Sequence, residues 1–488
     1  MKNRVLGNSL IYTVNDLLLK AFSFFLLPLY TAYLTTEHYG TTDIINRFTS
    51  VAGFIIVFSL YMSVSRFYVE YKGDMEKVKR YFGTMIVFSF VSGFAFLLLL
   101  VVFNKALIYL FFEGIPFFPI VLVALVGLVF SCAYTMYSRI LYAMQDAKRI
   151  VITSMAFFFV QFGFTFLFVV SLRMGAYGVL LATMITNILF CVYMIVDLVK
   201  RKLITFCIDL PILKETLRYS IPIIPHNLST NIAQLVSRVF LNNRFALSVV
   251  GLFALASQFG TVTDIAQSSM NAAFQPWFFS QMKEGGEERS ASVRQMAYAL
   301  AWLSGLIFLL IALFSQEVIL LFLNANYKQA WTVVPLCVLT FAVKSAYYPY
   351  INLLLYEKKA SRLVFITTVS SSLLNIGLSA LLIPIWNMYG SSLADIIAMI
   401  LRVAVAVVIA KKYNTVGFRF TEFLRIVLII MLFTGAGLYL SYTKWMYEVS
   451  IINIGIKLVI VAAYIGVVAY INRPTIQRYF KVWKAKRA

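Results

Sequence analysis

The amino-acid sequence predicts an all-α polytopic membrane protein with about 14 transmembrane helices. Of its 488 residues, 61% are apolar and 13% are charged, whereas soluble domains average about 45–50% apolar and about 25% charged residues. Apolar stretches long enough to cross a bilayer, which takes about 20 residues, recur along the chain. Stretches such as 85–103 are apolar nearly all round, which argues against the alternating strands of a β-barrel. The chain therefore has little room for a soluble domain.

Charged and turn residues divide the chain into fourteen predicted spans with short connections. These spans are residues 8–34, 41–68, 81–103, 116–138, 150–172, 176–197, 219–242, 248–276, 296–314, 331–355, 363–384, 390–410, 424–442 and 450–471. The first run contains Asn15, Asp16 and Lys20, unlike the uninterrupted apolar core of a cleavable signal peptide. We therefore expect it to be retained as the first span.

The basic residues of the loops are distributed unequally across the membrane. If both termini are cytoplasmic, the inner segments hold 30 Lys and Arg and the outer loops hold five. Such a bias marks the cytoplasmic side, so we predict that both termini lie there. The net charge of +22 comes largely from these short loops, and we expect no nucleic-acid partner.

Short motifs recur at nearly one offset, which predicts two related halves. Tyr39-Gly40 is matched by Val250-Gly251, 211 positions later, and Tyr177-Gly178 by Tyr389-Gly390, 212 positions later. Transporters built from such repeats bind substrate between the halves. Because Tyr-Gly is a common turn dipeptide, chance recurrence is the alternative. The predicted parts are an N-terminal six-helix lobe (1–200), a cytoplasmic linker (201–213), a second six-helix lobe (214–411), and two accessory helices with a basic cytoplasmic tail (412–488).

Ionisable residues within the predicted spans are the first candidates for a functional site. Each costs about 2.5–3.5 kcal/mol on insertion scales, so such residues normally face a cavity or a partner. The eleven at or near such depth are Asp16, Lys20, Asp43, Arg47, Arg66, Arg238, Asp264, Lys344, Asp395, Arg402 and Lys457.

Seven of these eleven side chains are cationic. A cavity lined by guanidinium and ammonium groups suits a substrate that carries phosphate or another anion. Amide side chains on the same helix faces suit the hydroxyls of a sugar. The predicted substrate-binding residues are Lys20, Arg47, Arg238, Lys344 and Arg402, together with Asn231 and Gln234.

Several of these charges also have a purely structural interpretation. Asp43 and Arg47 are four residues apart, as are Asp16 and Lys20. The opposite charges of each pair could therefore neutralise each other on one helix. Lys457 lies in the accessory helices and is interpreted as a packing or lipid-interface residue.

Two aspartates and one proline are candidates for conformational roles. Asp264 and Asp395 are either ion-coupling carboxylates or counter-ions of nearby Arg or Lys. Pro28 lies late in the first predicted span. Proline is well tolerated in the first turn of a helix, but a position late in a span does not fit a first turn. We therefore predict that Pro28 marks a bending gate.

Cysteine and histidine usage gives no sign of a metal site, a cofactor or a disulfide framework. The four cysteines contain no CxxC pair, and neither histidine has a second ligand at metal spacing. Serine-hydrolase, zinc-protease and phosphate-loop motifs are missing from the sequence. We expect a transporter rather than an enzyme.

The order of several short motifs resembles the polysaccharide transporter family, the Wzx-type flippases of the multidrug/oligosaccharidyl-lipid/polysaccharide exporter superfamily. The motifs that carry this resemblance are Asn15 with Lys20, Pro28-Leu29-Tyr30, Leu34, Tyr39-Gly40, the loop from Tyr142 to Arg149, residues 375–383, and the run from Tyr389 to Ala394.

The resemblance implies an undecaprenyl-diphosphate-linked oligosaccharide as cargo. It would be moved across the bacterial cytoplasmic membrane by alternating access, for the synthesis of O-antigen, capsule or exopolysaccharide. The cationic residues would engage the diphosphate or acidic sugars. Membrane lipids, a coupling proton or sodium ion, and a glycan polymerase are the implied partners.

Three other functions stay open at this point. A lipid II flippase of peptidoglycan synthesis shares the helix count and a basic cavity. Drug exporters of the same superfamily usually have twelve helices and cavities adapted to cations, which fits less well. A membrane glycan polymerase or ligase belongs to a different class and normally needs a sizeable outer catalytic loop, whereas the outer segments 104–115 and 315–330 are short.

Overall fold

The fold was analysed in a computed structural model of the chain. It describes residues 26–357 and 360–473, together with Asn15, Leu18, Phe24 and Gln477, and within these the side chains of residues 223, 226 and 227 are not described. Every regular element among the described residues is a helix. Ten helical stretches there are long and apolar enough to cross a membrane. The predicted all-α polytopic membrane fold is therefore confirmed.

Two compact units divide the chain, Met1–Gly251 and Leu252–Ala488. The helices that begin in the first unit are α1 (Leu27–Tyr33), α2 (Thr36–Ile56), α3 (Val64–Tyr71), α4 (Met75–Val102), α5 (Asn104–Phe111), α6 (Leu122–Ala143), α7 (Ala147–Thr165), α8 (Gly175–Lys200), α9 (Leu210–Ser220), α10 (Ile224–Arg244) and α11 (Leu247–Glu284). The remaining helices are α12 (Glu287–Phe322), α13 (Val334–Lys344), α14 (Tyr347–Tyr356), α15 (Val364–Ala410), α16 (Phe420–Thr443) and α17 (Ile451–Ile471). Short π-helical turns precede α6 (Phe117–Val121) and follow α7 (Phe166–Ser171), and short 3-10 segments join other helices.

Three predicted spans differ in kind from the ten apolar stretches. The predicted span 41–68 corresponds to α2 and α3, and the predicted span 219–242 corresponds to α10, which begins with Pro225 in its first turn. Both α2 and α10 carry many polar residues. The first predicted span, 8–34, lies largely outside the described residues, and its described end is α1.

The helix α15 covers two predicted spans. Its 47 residues would extend about 70 Å at 1.5 Å per residue, more than twice the hydrocarbon thickness. The helix is broken instead at Trp386 (φ −123°, ψ 16°) and Asn387 (φ 52°, ψ −133°), two residues after Pro384. The positive φ of Asn387 reverses the chain at the place where the sequence predicts a loop.

In the first unit, α6 lies at the centre and packs on α8, α4 and α3. At the end of this bundle four charged side chains alternate in sign. Asp146 accepts from Arg149 at 3.4 Å and from Arg201 at 3.3 Å, and both arginines also pair with Asp197. Tyr137 donates to Asp197 at 2.9 Å. The loop that ends at Arg149 is thus part of an ion network that joins α6, α7 and α8.

Residues 203–209 of the predicted linker form an extended segment that is bound along α4. The Thr205 N–H donates to the Lys79 carbonyl at 3.2 Å, and the Asp209 N–H donates to Thr84 Oγ1 at 3.0 Å. A methyl group at Gly83 would overlap the Thr205 carbonyl. The close approach of the linker to α4 therefore requires a residue without a side chain at position 83.

In the second unit, α15 packs on α13 and α14, while α12 packs on α13, α16 and α17. The accessory helices α16 and α17 thus pack directly on α12 of this unit. Gly305 of α12 has no space for a methyl group beside Ile430 and Tyr464.

Candidate functional site

A carboxylate shared by two arginines lies between α2 and α10 in the first unit. Asp43 Oδ1 accepts from Arg47 Nε at 3.3 Å, and Asp43 Oδ2 accepts from Arg238 Nε at 3.2 Å. Arg47 Nη1 also donates to Gln234 Oε1 at 2.7 Å. Helical periodicity explains the arrangement, because Asp43 with Arg47, and Gln234 with Arg238, each lie one turn apart on the facing sides of the two helices.

The burial of this cluster differs from one member to the next. The side chain of Arg238 is 4% exposed and that of Asp43 is 14% exposed, whereas Arg47 keeps 30% exposure. Among the described contacts, this one carboxylate is bound by two guanidinium groups. Arg47 is the member that can reach a ligand without first leaving the protein interior.

The other predicted residues of the first unit are placed as follows. Asn231 lies on α10 three residues before Gln234 and is half-buried. Asp16 and Lys20 lie outside the described residues. Asn15 is buried, and its Oδ1 accepts from Ser154 Oγ of α7 at 3.1 Å.

A second cluster of charges lies in the second unit. Lys344 Nζ at the end of α13 donates to Asp264 Oδ1 of α11 at 2.5 Å. The ammonium group also lies 5.4 Å from the ring centroid of Tyr348 and 5.6 Å from that of Phe341, within cation–π range.

The break at residues 386–387 divides α15 into two segments. Arg402 and Asp395 lie on the second segment, and their side chains bind residues of the first. Arg402 Nε donates to Ser371 Oγ at 3.0 Å, and Asp395 Oδ1 accepts from Asn375 Nδ2 at 2.8 Å. The break at residues 386–387 folds the two segments together, which is why residues distant in sequence meet in pairs. The carboxylate of Asp395 is bound by an amide rather than by a cation at this contact.

Lys344 sits at a helix break. α13 ends at Lys344 and α14 begins at Tyr347, and Gln267 Nε2 donates to the Phe341 carbonyl near this break at 2.7 Å. A small cavity of about 30 Å³ beside it is lined in part by Gln267, Ser345 and Tyr348, enough for one or two water molecules. The backbone stays hydrogen-bonded across this interruption, because the Ser345 N–H donates to the Phe341 carbonyl at 3.1 Å and the Ala346 N–H donates to the Val343 carbonyl at 3.2 Å.

The comparisons with known proteins identify the family. Residues 5–283 match the family described as "Polysaccharide biosynthesis protein", which is more than half of the chain. This chain belongs to that polysaccharide biosynthesis family. The resemblance to polysaccharide transporters that the sequence motifs indicate is thereby confirmed. No curated protein matches the chain.

Solved structures show the fold of this member of the polysaccharide biosynthesis family. The lipid II flippase MurJ in an inward closed conformation is 15% identical, with a TM-score of 0.71 over 96% of this chain and 100% of that chain. An inward-facing multidrug resistance MATE transporter of the MOP superfamily is 15% identical, with a TM-score of 0.69 over 79% of this chain and 92% of that chain. An outward-facing MATE transporter of the same superfamily is 16% identical, with a TM-score of 0.57 over 84% of this chain and 95% of that chain. The chain therefore has the fold of multi-pass membrane transporters.

The structure also places Pro28 differently from the sequence interpretation. Pro28 lies in the first turn of α1, which begins at Leu27, a position where proline is tolerated because its missing N–H has no helical partner. The role of Pro28 as a bending gate stays a prediction.

Sequence reasoning missed a buried ion pair in this family member. Lys457 Nζ of α17 donates to Glu317 Oε1 at 2.6 Å and to Gln316 Oε1 at 2.9 Å, and the lysine is fully buried. Lys457 is thus a packing residue, and the lipid-interface alternative is wrong. Glu317 was assigned to an outer loop, although the apolar run of residues 318–323 that follows it signals a longer helix.

Among the described residues, the structure contains no group of three or more His, Cys, Asp or Glu side chains arranged to hold a metal ion.

Proposed function

We propose that this protein is a flippase for undecaprenyl-diphosphate-linked oligosaccharides in the cytoplasmic membrane of a bacterium. The cargo headgroup enters from the cytoplasmic side while its polyprenyl chain stays in the lipid, and alternating access exposes the headgroup on the outer side. The product serves the synthesis of O-antigen, capsule or exopolysaccharide, with a glycan polymerase as the partner that consumes it.

The observation that carries this proposal is the Asp43 cluster, in which one carboxylate is bound by the guanidinium groups of Arg47 and Arg238. In the second unit, the ammonium group of Lys344 binds Asp264. A diphosphate has the opposite charge and accepts strong hydrogen bonds from guanidinium and ammonium groups. A cationic drug would be repelled by the same side chains, which favours an anionic cargo.

The amides beside the charges suit the sugar part of the cargo. Gln234 and Asn231 lie next to the Asp43 cluster on α10. Because an amide both donates and accepts hydrogen bonds, these side chains match hydroxyl groups without fixing one sugar. We assign the diphosphate to the cations and the first sugar residues to these amides.

The transport cycle needs an energy source, which we assign to a proton or sodium gradient. We assign the coupling role to Asp395, whose carboxylate accepts a hydrogen bond from Asn375 Nδ2. Asp264 is the counter-ion of Lys344 in the present arrangement, so a coupling role for it requires the two to separate.

Reconstituted transport tests the proposal. The full-length protein is placed in liposomes with a fluorescent undecaprenyl-diphosphate oligosaccharide, and an impermeant quencher reports which leaflet holds the label. Arg47→Gln, Lys344→Gln and Arg402→Gln should each lower the flipping rate by at least about tenfold, as expected for loss of a charged hydrogen bond worth about 1.5–3 kcal/mol.

Lys444→Gln, at an exposed position, is the matched charge control and should flip at the unchanged rate. The proposal is contradicted if all three cluster variants, folded and at equal yield, flip as fast as the control. A parallel reaction with fluorescent lipid II distinguishes the two cargo classes, because faster flipping of lipid II would assign the protein to peptidoglycan synthesis instead.

A further inference from the structure

Two glycines at matching positions of the sequence repeat contact each other in the first unit. A methyl group built on Gly40 would lie 2.9 Å from the Gly251 nitrogen and would overlap the Leu247 carbonyl oxygen. A methyl group built on Gly251 would lie 3.1 Å from the Gly40 nitrogen and would overlap the Thr36 carbonyl oxygen. The first turns of α2 and α11 therefore touch backbone to backbone.

The contact is reciprocal in its details. Each glycine lies against the carbonyl of the residue that precedes the other glycine by four positions, and the offset of 211 relates Thr36 to Leu247 as well as Gly40 to Gly251. Equivalent residues thus make equivalent contacts around a local two-fold relation. Close approach of small residues, with Cα–H groups beside carbonyl oxygens, is a common way for membrane helices to associate without a hydrophobic driving force.

Two side-chain contacts of the same helices lie nearby. Asp43, which binds Arg238 of α10, is three residues from Gly40 on α2, a rise of about 4.5 Å. At the end of α10, Asn242 Nδ2 donates to the Glu113 carbonyl at 2.7 Å, and Asn242 is 9% exposed. The backbone contact and these two hydrogen bonds therefore hold α10 and the start of α11 to α2 and to residue 113.

All of these residues except Asp43 and Arg238 lie at helix ends or loops that the charge distribution assigns to the outer side of the membrane. We propose that the Gly40–Gly251 contact, together with the Asn242–Glu113 hydrogen bond, is the outer closure of the transport path, which must separate before cargo leaves. This inference rests on the proposed alternating-access function and on the predicted orientation of the chain.

The geometry connects this closure to the charged cluster. Moving α2 away from the start of α11 also moves Asp43 away from Arg238, because Asp43 is less than one turn from Gly40. The buried guanidinium group of Arg238 then loses this carboxylate, and a cargo diphosphate beside Arg47 takes its place. Bound cargo thereby stabilises the separated state relative to the contact state, which is the differential interaction that a population shift requires.

Accessibility of a reporter cysteine tests the closure without any cargo. The four native cysteines are replaced, and Ser50→Cys is introduced on the face of α2 that carries Asp43 and Arg47. Intact cells are labelled with an impermeant maleimide from the outside, and inverted membrane vesicles are labelled from the inside. Gly40→Ala and Gly251→Ala introduce overlap only where the helices touch, so outside labelling should rise by about 5- to 150-fold while inside labelling falls.

Gly53→Ala is the matched control on the same helix, because its methyl group would meet only ordinary contacts, 3.6 Å from a Leu128 side-chain carbon. Asn242→Ala creates no overlap and removes the second contact, so it keeps the test valid if the glycine variants do not fold. It should also raise outside labelling.

Unchanged outside labelling in folded Gly40→Ala, Gly251→Ala and Asn242→Ala would overturn the proposal, and so would an equal rise from both faces, which indicates local unfolding. The result is independent of the cargo. A rise in outside labelling combined with no flipping of the glycolipid would keep the closure and reject the proposed cargo.

Discussion

Arg238 Nε lies 3.2 Å from Asp43 Oδ2, although the two residues are 195 positions apart in the chain. The two side chains are only 4% and 14% exposed, so both charges are largely shielded from water. Their energies are therefore interdependent, since removal of one partner leaves the other buried and uncompensated. The pair has to be understood as a structural element as well as a candidate part of the cargo site.

The first prediction concerns this pair. Asp43→Asn should destabilise the protein by about 3–5 kcal/mol, because the buried guanidinium group of Arg238 then loses the carboxylate that binds it. Thermal unfolding in detergent measures the loss. Combining Asp43→Asn with Arg238→Gln should recover part of it, and strict additivity of the two single effects would show that the residues do not interact.

The second prediction concerns the accessory helices. Lys457→Met should destabilise the protein by about 3–5 kcal/mol, since Glu317 is left buried without its cation. The double variant with Glu317→Gln should recover most of the stability and should still flip cargo, because this pair is remote in sequence from both charged clusters. Lys444→Met, at an exposed position, serves as the control, and equal melting of Lys457→Met and this control would refute the argument.

A third experiment addresses the docked linker. Gly83→Ala places a methyl group where the Thr205 carbonyl lies, so the linker should leave α4 at a cost of about 1–3 kcal/mol. Trypsin should then cut faster after Arg201 and Lys202, which can be followed on a gel. Gly73→Ala, where a methyl group meets nothing within 4 Å, should be cut at the wild-type rate.

Ion coupling provides the fourth test. Asp395→Asn keeps the hydrogen-bonding shape beside Asn375 but removes the charge, so it should abolish the stimulation of flipping by an imposed ion gradient. The basal rate without a gradient should change by less than about threefold. Imposing proton and sodium gradients separately identifies the ion, and full stimulation of the variant by either gradient would exclude Asp395 as the coupling residue.

The sequence was sufficient for those features that depend on local composition. Helices α4, α6, α8 and α12 follow from runs of apolar side chains, since a bilayer leaves a spanning backbone few alternatives to a helix. The break of α15 follows from Pro384 and the polar Asn387. Such features need no knowledge of which helices are neighbours.

Pairings between distant residues could not be predicted in the same way. The periodicity of α2 predicted that Asp43 and Arg47 share a face, but nothing in the sequence assigned Arg238 to the same carboxylate. Glu317 was placed in a loop because charge is the usual signal for the end of a span. That signal fails where a second charge, here Lys457, compensates for the first inside the protein.

The pairing of Glu317 with Lys457 has a consequence for shortened forms of the chain. A protein that ended before α16 would expose the Glu317 carboxylate and Gln316 directly to acyl chains. It would also expose Gly305, which packs against Ile430 and Tyr464 in the full chain. Such a truncation would need an apolar residue in place of Glu317 to remain inserted. The last two helices therefore cannot be deleted for crystallisation or for fusion to a reporter without a change on α12. Any loss of these helices during evolution has to be accompanied by a change on α12 as well.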